Sequence, residues 1–174
     1  MRWSKVKKLV EDRFAPSIKG RVQIYSTAYR CTCGRGWFTI DGKDVADLST
    51  FAVGNRFHCV YHEATDTDYV THPAITNDER TTGNLVEYGE FSRFDLHEAC
   101  WKFLHSNAHE CLQSENPLIQ ALAVLDEKVG KNKLKAMDVE NMHPLPARFL
   151  LLRLEAVGEK KNKTRPGRSF LYMT

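Results

Sequence analysis

The chain has 174 residues, 42% of them hydrophobic and 27% charged, with a net charge of +3. That is the length of one domain, enough to bury its own core without disulfides or a structural metal. No run is apolar enough to span a bilayer as a helix and no tract is of low complexity, which excludes a helical membrane span and a disordered chain.

The first 15 residues predict an amphipathic helix. Trp3, Val6, Val10 and Phe14 recur at spacings of three and four, with Leu9 beside them, and Pro16 ends the pattern. The charged start MRWSKVKKLVEDRF lacks an apolar segment, so no secretory export is expected. With five cysteines, an odd number at irregular spacing, the expectation is a cytoplasmic protein with reduced thiols.

Residues 21–64 predict an antiparallel meander of about four strands. In RVQIYSTAYR, Val22, Ile24, Ser26 and Ala28 share one face, and Gln23, Tyr25, Thr27 and Tyr29 the other. GWFTI (36–40) follows, and Asp41-Gly42 is a hairpin signal because a type I′ turn needs φ > 0 at both central residues. A third strand is expected over 43–53 and a fourth over 56–64, linked by Gly54-Asn55. The stretch CTCGRG (31–36) then reads as a turn, with Gly34 and Gly36 supplying backbone freedom. A structural zinc site needs four ligands, usually as two pairs, and no second cysteine pair is present.

Residues 65–91 are expected to form a long acidic loop, and 92–158 a helical layer of three or more helices. Ser92 with Asp95 resembles a capping box. Leu96, Cys100, Phe103, Leu104, Ala108, Cys111 and Leu112 form one apolar stripe. Asn116-Pro117 opens the next helix and Gly130 is expected to close it. His143-Pro144 repeats the opening 27 residues after Pro117. The tail, 159–174, is basic and then apolar. The predicted architecture is a single α+β domain.

Charge is distributed unevenly. Residues 1–21 hold seven Lys/Arg against two acids, residues 51–91 two against seven, and residues 159–174 five against one. Opposed patches of this kind pair within a fold or between subunits, and basic ends could also meet nucleic acid.

Four groups of residues could carry function. His58 and His62 lie four apart on one strand face with Asp66 and Asp68 close behind, a donor set for a divalent metal and a metal-assisted hydrolase. Arg21, Arg30 and Arg35 interleave with Tyr25, Tyr29 and Trp37, a pattern that can hold phosphates and stack bases or bind another ligand. His97, Trp101, His105 and His109 recur every four residues along one predicted helix, a stripe suited to a partner interface. Glu87 and Glu90 flank Tyr88-Gly89 and could serve acid–base chemistry. There is no P-loop, G-x-S-x-G or G-x-G-x-x-G, and the serine of YST (25–27) has no motif around it. No cofactor is expected. The leading expectation is a non-enzymatic binding or interaction module that forms a homo-oligomer. A nucleic-acid binder or a metal-assisted hydrolase are the alternatives.

Several stretches together resemble a family of small uncharacterised bacterial proteins. They are RWSKVKKLVEDRFAPSIKGRV, STAYR, GRGWFTIDGK, EYGEFSRFDLHEACWKFL, SENPLIQALAVLDEKVGKNKL and HPLPARFLLLRLEA. The resemblance implies a bacterial, cytoplasmic, accessory protein, some members being encoded on mobile or integron gene cassettes. It implies no catalytic residues.

Overall fold

The structure, a computed structural model, describes residues 2–29, 34–50 and 90–158. It is an α+β fold. Helix α1 (Trp3–Asp12) leads into strands β1 (Val22–Ala28), β2 (Gly34–Ile40) and β3 (Lys43–Ser49). Helices α2 (Arg93–His105), α3 (Ala108–Leu112), α4 (Pro117–Leu125), α5 (Lys131–Lys135) and α6 (Pro144–Ala156) follow.

The sheet has the order β1-β2-β3, antiparallel throughout. Three strands stand where about four are expected; the expected fourth, 56–64, lies outside the described residues. So do the expected 54–55 turn and most of the 65–91 loop. The β2–β3 turn is as expected: Asp41 has φ 50° and Gly42 φ 79°. The register slips once, between Phe38 and Thr39.

One sheet face is apolar. Val22, Ile24, Phe38, Ala46 and Leu48 are buried there and join a core with Leu96, Phe103, Leu118, Leu122 and Phe149 from the helices. Phe38 and Phe149 meet with ring centroids 5.5 Å apart, which joins the sheet to α6. Helix α2 presses on β2 at Gly36, where an added Cβ would lie 2.6 Å from Leu96 Cδ2. The two glycines of CTCGRG therefore act differently from the turn expected of them. Neither has positive φ. Both belong to β2, and a Cβ at Gly34 would strike the Thr27 carbonyl oxygen. They permit close approach, not a turn; the turn residues themselves lie outside the described residues.

Helix α1 lies along β1. The Ile24 amide, on the outer edge of the sheet, donates to Glu11 Oε1 at 2.9 Å. This satisfies an edge group that would otherwise be open to pairing. The helix stops at Asp12, short of the predicted residue 15. Phe14 instead bridges to Asp126, and the Ala15 amide donates to the Leu125 carbonyl. The same bridge ends α4 at Leu125, so Gly130 does not close that helix. It caps the start of α5.

The predicted stripe from Leu96 to Leu112 spans two helices. Ser106 and Asn107 are extended, and Asn107 accepts from the Glu110 amide to start α3. The other starts follow the sequence. Ser92 and Asp95 form the capping box, Asn116 caps α4, and His143 caps α6. Gly158, at φ 81°, donates to the Glu155 carbonyl and closes α6.

Candidate functional site

A polar cluster lies where α1, α2 and β1 meet. Ser26 is on the inner face of β1, beyond Val22 and Ile24, where the sheet still faces α2. Its Oγ accepts from Arg93 Nε at 2.8 Å and lies 2.8 Å from His97 Nε2. Arg93 and His97 are one turn apart on α2, so both reach the same strand residue. Trp3 of α1 stacks on the His97 ring at 4.5 Å, with planes 7° apart. Burial, and secondly the Arg93 charge, push the His97 pKa down to about 4. The imidazole is therefore neutral at pH 7. Burial also lowers the pKa of Arg93. The three side chains are half-buried, whereas Thr27 and Ala28 beside Ser26 are exposed.

The stripe of His97, Trp101, His105 and His109 does not form one surface. His97 turns inward to Ser26. Trp101 is 50% exposed, and His105 packs on it at 3.9 Å with Nδ1 2.8 Å from the Trp101 carbonyl. His109 sits on α3, not on α2, and its Nδ1 accepts from Lys133 Nζ of α5 at 3.1 Å. Leu9 of α1 is 41% exposed. Contacts at Trp3–His97 and Arg13–Phe103 bracket Leu9 and Trp101 along their helices.

On the outer sheet face, Tyr25 and Trp37 stack at 5.0 Å. Lys7 covers the Tyr25 ring at 3.8 Å, and the Arg35 guanidinium lies 4.8 Å from the Trp37 ring. The arginines here already hold carboxylates. Arg21 makes a two-point pair with Asp41 at 2.7 and 2.9 Å. Arg35 bonds Asp47 at 2.9 Å and Asp44 at 2.8 Å. Hydrogen bonds donated to these carboxylates, Asp47 foremost for Arg35, raise both arginine pKa values. Tyr29 is 47% exposed at the end of β1. Arg30 lies outside the described residues.

His58, His62, Asp66, Asp68 and Glu87 also lie outside them. Among the described residues no group of three or more His, Cys, Asp or Glu could hold a metal ion. Burial raises both described thiols, Cys100 to about 12, as inert core groups. No helix among the described residues is long and apolar enough to cross a membrane.

A family model matches residues 2–154 of the 174. The chain belongs to the SF0329 protein family. The match takes in α1, the sheet and nearly all of the helical layer of this SF0329 chain. No curated protein matches it, and no solved structure does.

Two sites in this SF0329 protein escape sequence reading. The Ser26–His97–Arg93 cluster joins positions 67 and 71 residues apart, which no local motif reveals. Glu90 lies 2.7 Å from His143 Nε2 across 53 residues, with both side chains nearly buried. His143 Nδ1 accepts the Leu145 amide, so the ring proton is on Nε2 and is donated to Glu90. The signal for the capping half was present in His143-Pro144. That for Glu90 was not.

Proposed function

We infer that this protein is an interaction module that self-associates through the α1–α2 face. The carrying observation is the half-exposed Trp101, stiffened by His105, with exposed Leu9 on the neighbouring helix. A large aromatic held in one orientation costs little entropy to bury and is enriched in interface centres. Opposed charge also supports association of two copies: residues 1–21 are strongly basic and residues 51–91 strongly acidic. The family resemblance fits a cytoplasmic accessory protein of a kind carried on mobile gene cassettes.

The test is sedimentation equilibrium of wild type and of Trp101→Glu across the micromolar range. A dimer that the substitution converts to monomer is the expected result. Wild type that stays monomeric throughout overturns the reading. Salt dependence of any dimer separates charge pairing from apolar contact. Fluorescence anisotropy with short DNA and RNA runs alongside, since steeply salt-dependent binding would favour a nucleic-acid partner instead.

A further inference from the structure

Ser26 is placed as a nucleophile would be. A hydroxyl carries one proton and two lone pairs. Arg93 Nε fills one lone pair at 2.8 Å. The proton is then available to His97 Nε2, 2.8 Å away, in the tautomer that holds its own proton on Nδ1. In serine hydrolases a carboxylate orients the histidine. Here the stacked Trp3 indole fixes the ring plane instead. Polar groups brought together against a helix–sheet core are costly unless they satisfy one another. An apolar residue at position 26 would have continued the face of Val22 and Ile24 at no such cost.

We propose that Ser26 is a nucleophile toward carboxylic esters, with His97 accepting its proton and Arg93 stabilising the serine oxygen. Ser26 Oγ bonds to the ester carbonyl carbon as its proton passes to His97 Nε2, and the carbonyl π pair moves onto oxygen. When the tetrahedral species collapses, the bond from carbon to the alcohol oxygen breaks. The departing alkoxide takes the proton from His97. An acyl ester of Ser26 and a free alcohol remain. Water repeats the sequence, with His97 again taking and returning a proton, and releases the carboxylic acid and Ser26. Trp3 is a positioning residue.

A base with so low a pKa is weak, and the Arg93 hydrogen bond offsets this by lowering the cost of charge on the serine oxygen. Among the described residues the charged group bearing on His97 is Arg93 on α2, while Ser26 on β1 and Trp3 on α1 are neutral. The arrangement is slow at neutral pH but tolerant of acid. A free histidine loses its proton-accepting form near pH 6.5. His97 keeps it until about 4.

The experiment treats the full chain with a fluorophosphonate probe and, separately, with 4-nitrophenyl acetate, and reads intact mass and adduct position by peptide mapping. One adduct at Ser26 is expected, absent from Ser26→Ala and formed about a hundredfold more slowly in His97→Gln. Its rate should hold to pH 5 and fall with a midpoint near 4. Mapping on wild type locates the adduct even if a variant fails to fold. Folded wild type without a Ser26 adduct, an adduct elsewhere, or equal rates in wild type and His97→Gln overturns the proposal.

Discussion

The Arg13 guanidinium places two nitrogens on one oxygen of Asp126, Nε at 2.8 Å and a terminal nitrogen at 2.6 Å. Asp126 is wholly buried and also accepts the Lys128 amide at 2.8 Å. Arg13 further donates to the Phe103 carbonyl and lies 3.9 Å from the Phe103 ring. One ion pair thus ties the end of α1 to α2 and to the end of α4. Removing one partner of a buried pair leaves the other charge uncompensated. Asp126→Ala should cost about 3–5 kcal/mol in urea unfolding. Arg13→Met with Asp126→Leu should cost less than the sum of the single changes. Additive losses would show that the pair is not coupled.

Gly36 and Leu96 set the distance between sheet and helix. A methyl at position 36 would lie 2.6 Å from Leu96 Cδ2, so Leu96 would have to shift. Overpacking of this kind costs about 1–3 kcal/mol. Gly36→Ala should therefore lower stability by that amount. In a Leu96→Ala background the same change should cost little, because the obstructing side chain is gone. Thermal denaturation of wild type and the three variants measures the coupling directly.

These cases show which parts of the molecule were legible in sequence. Local chemistry was: the Asp41-Gly42 turn, the Ser92 capping box and the Pro-initiated helices all lie where their residues point. Each depends on groups within four residues of one another. The helix ends were not. Helix α1 stops early because Phe14 bridges Asp126, a partner 112 residues on that no periodicity registers. Gly34 and Gly36 read as turn residues because glycine serves both turning and close packing, and only the position of α2 decides between them. The carboxylates that hold Arg21 and Arg35 come from Asp41 in the β2–β3 turn and from Asp44 and Asp47 on β3, so no local pattern shows the pairing. The break between α2 and α3 was marked by Asn107 with Glu110 three residues on, a start signal hidden inside a continuous apolar stripe.

Glu90 anchors the chain just ahead of α2 to the first turn of α6. Because His143 accepts an amide at Nδ1, its Nε2 carries the ring proton and donates it to Glu90. Glu90→Gln retains a carbonyl oxygen for that proton and should cost little. Glu90→Ala strands a buried donor and should cost about 1–3 kcal/mol. Chemical denaturation of the two variants distinguishes them, and equal stability would mean that the pair is not held in solution.

Trp3 and His97 give the last prediction, read by pH. The His97 pKa is depressed in the folded protein to about 4 from 6.5. Between those values the unfolded chain binds the proton and the folded one does not, so stability is greatest above pH 6.5 and falls as pH drops toward 4. His97→Gln removes this titration while keeping a side chain able to bond Ser26. Its unfolding free energy should fall less steeply over that window, by a fraction of one proton. Trp3→Ala removes the aromatic cover from the ring, so the ring regains water and its pKa should rise toward 6.5. Urea unfolding across about pH 4–6.5 reads the first effect, and proton NMR of the His97 Cε1–H resonance reads the second. An unchanged pKa in Trp3→Ala would assign the depression to Arg93 and the surrounding core instead, and Arg93→Gln would then be the variant that raises it.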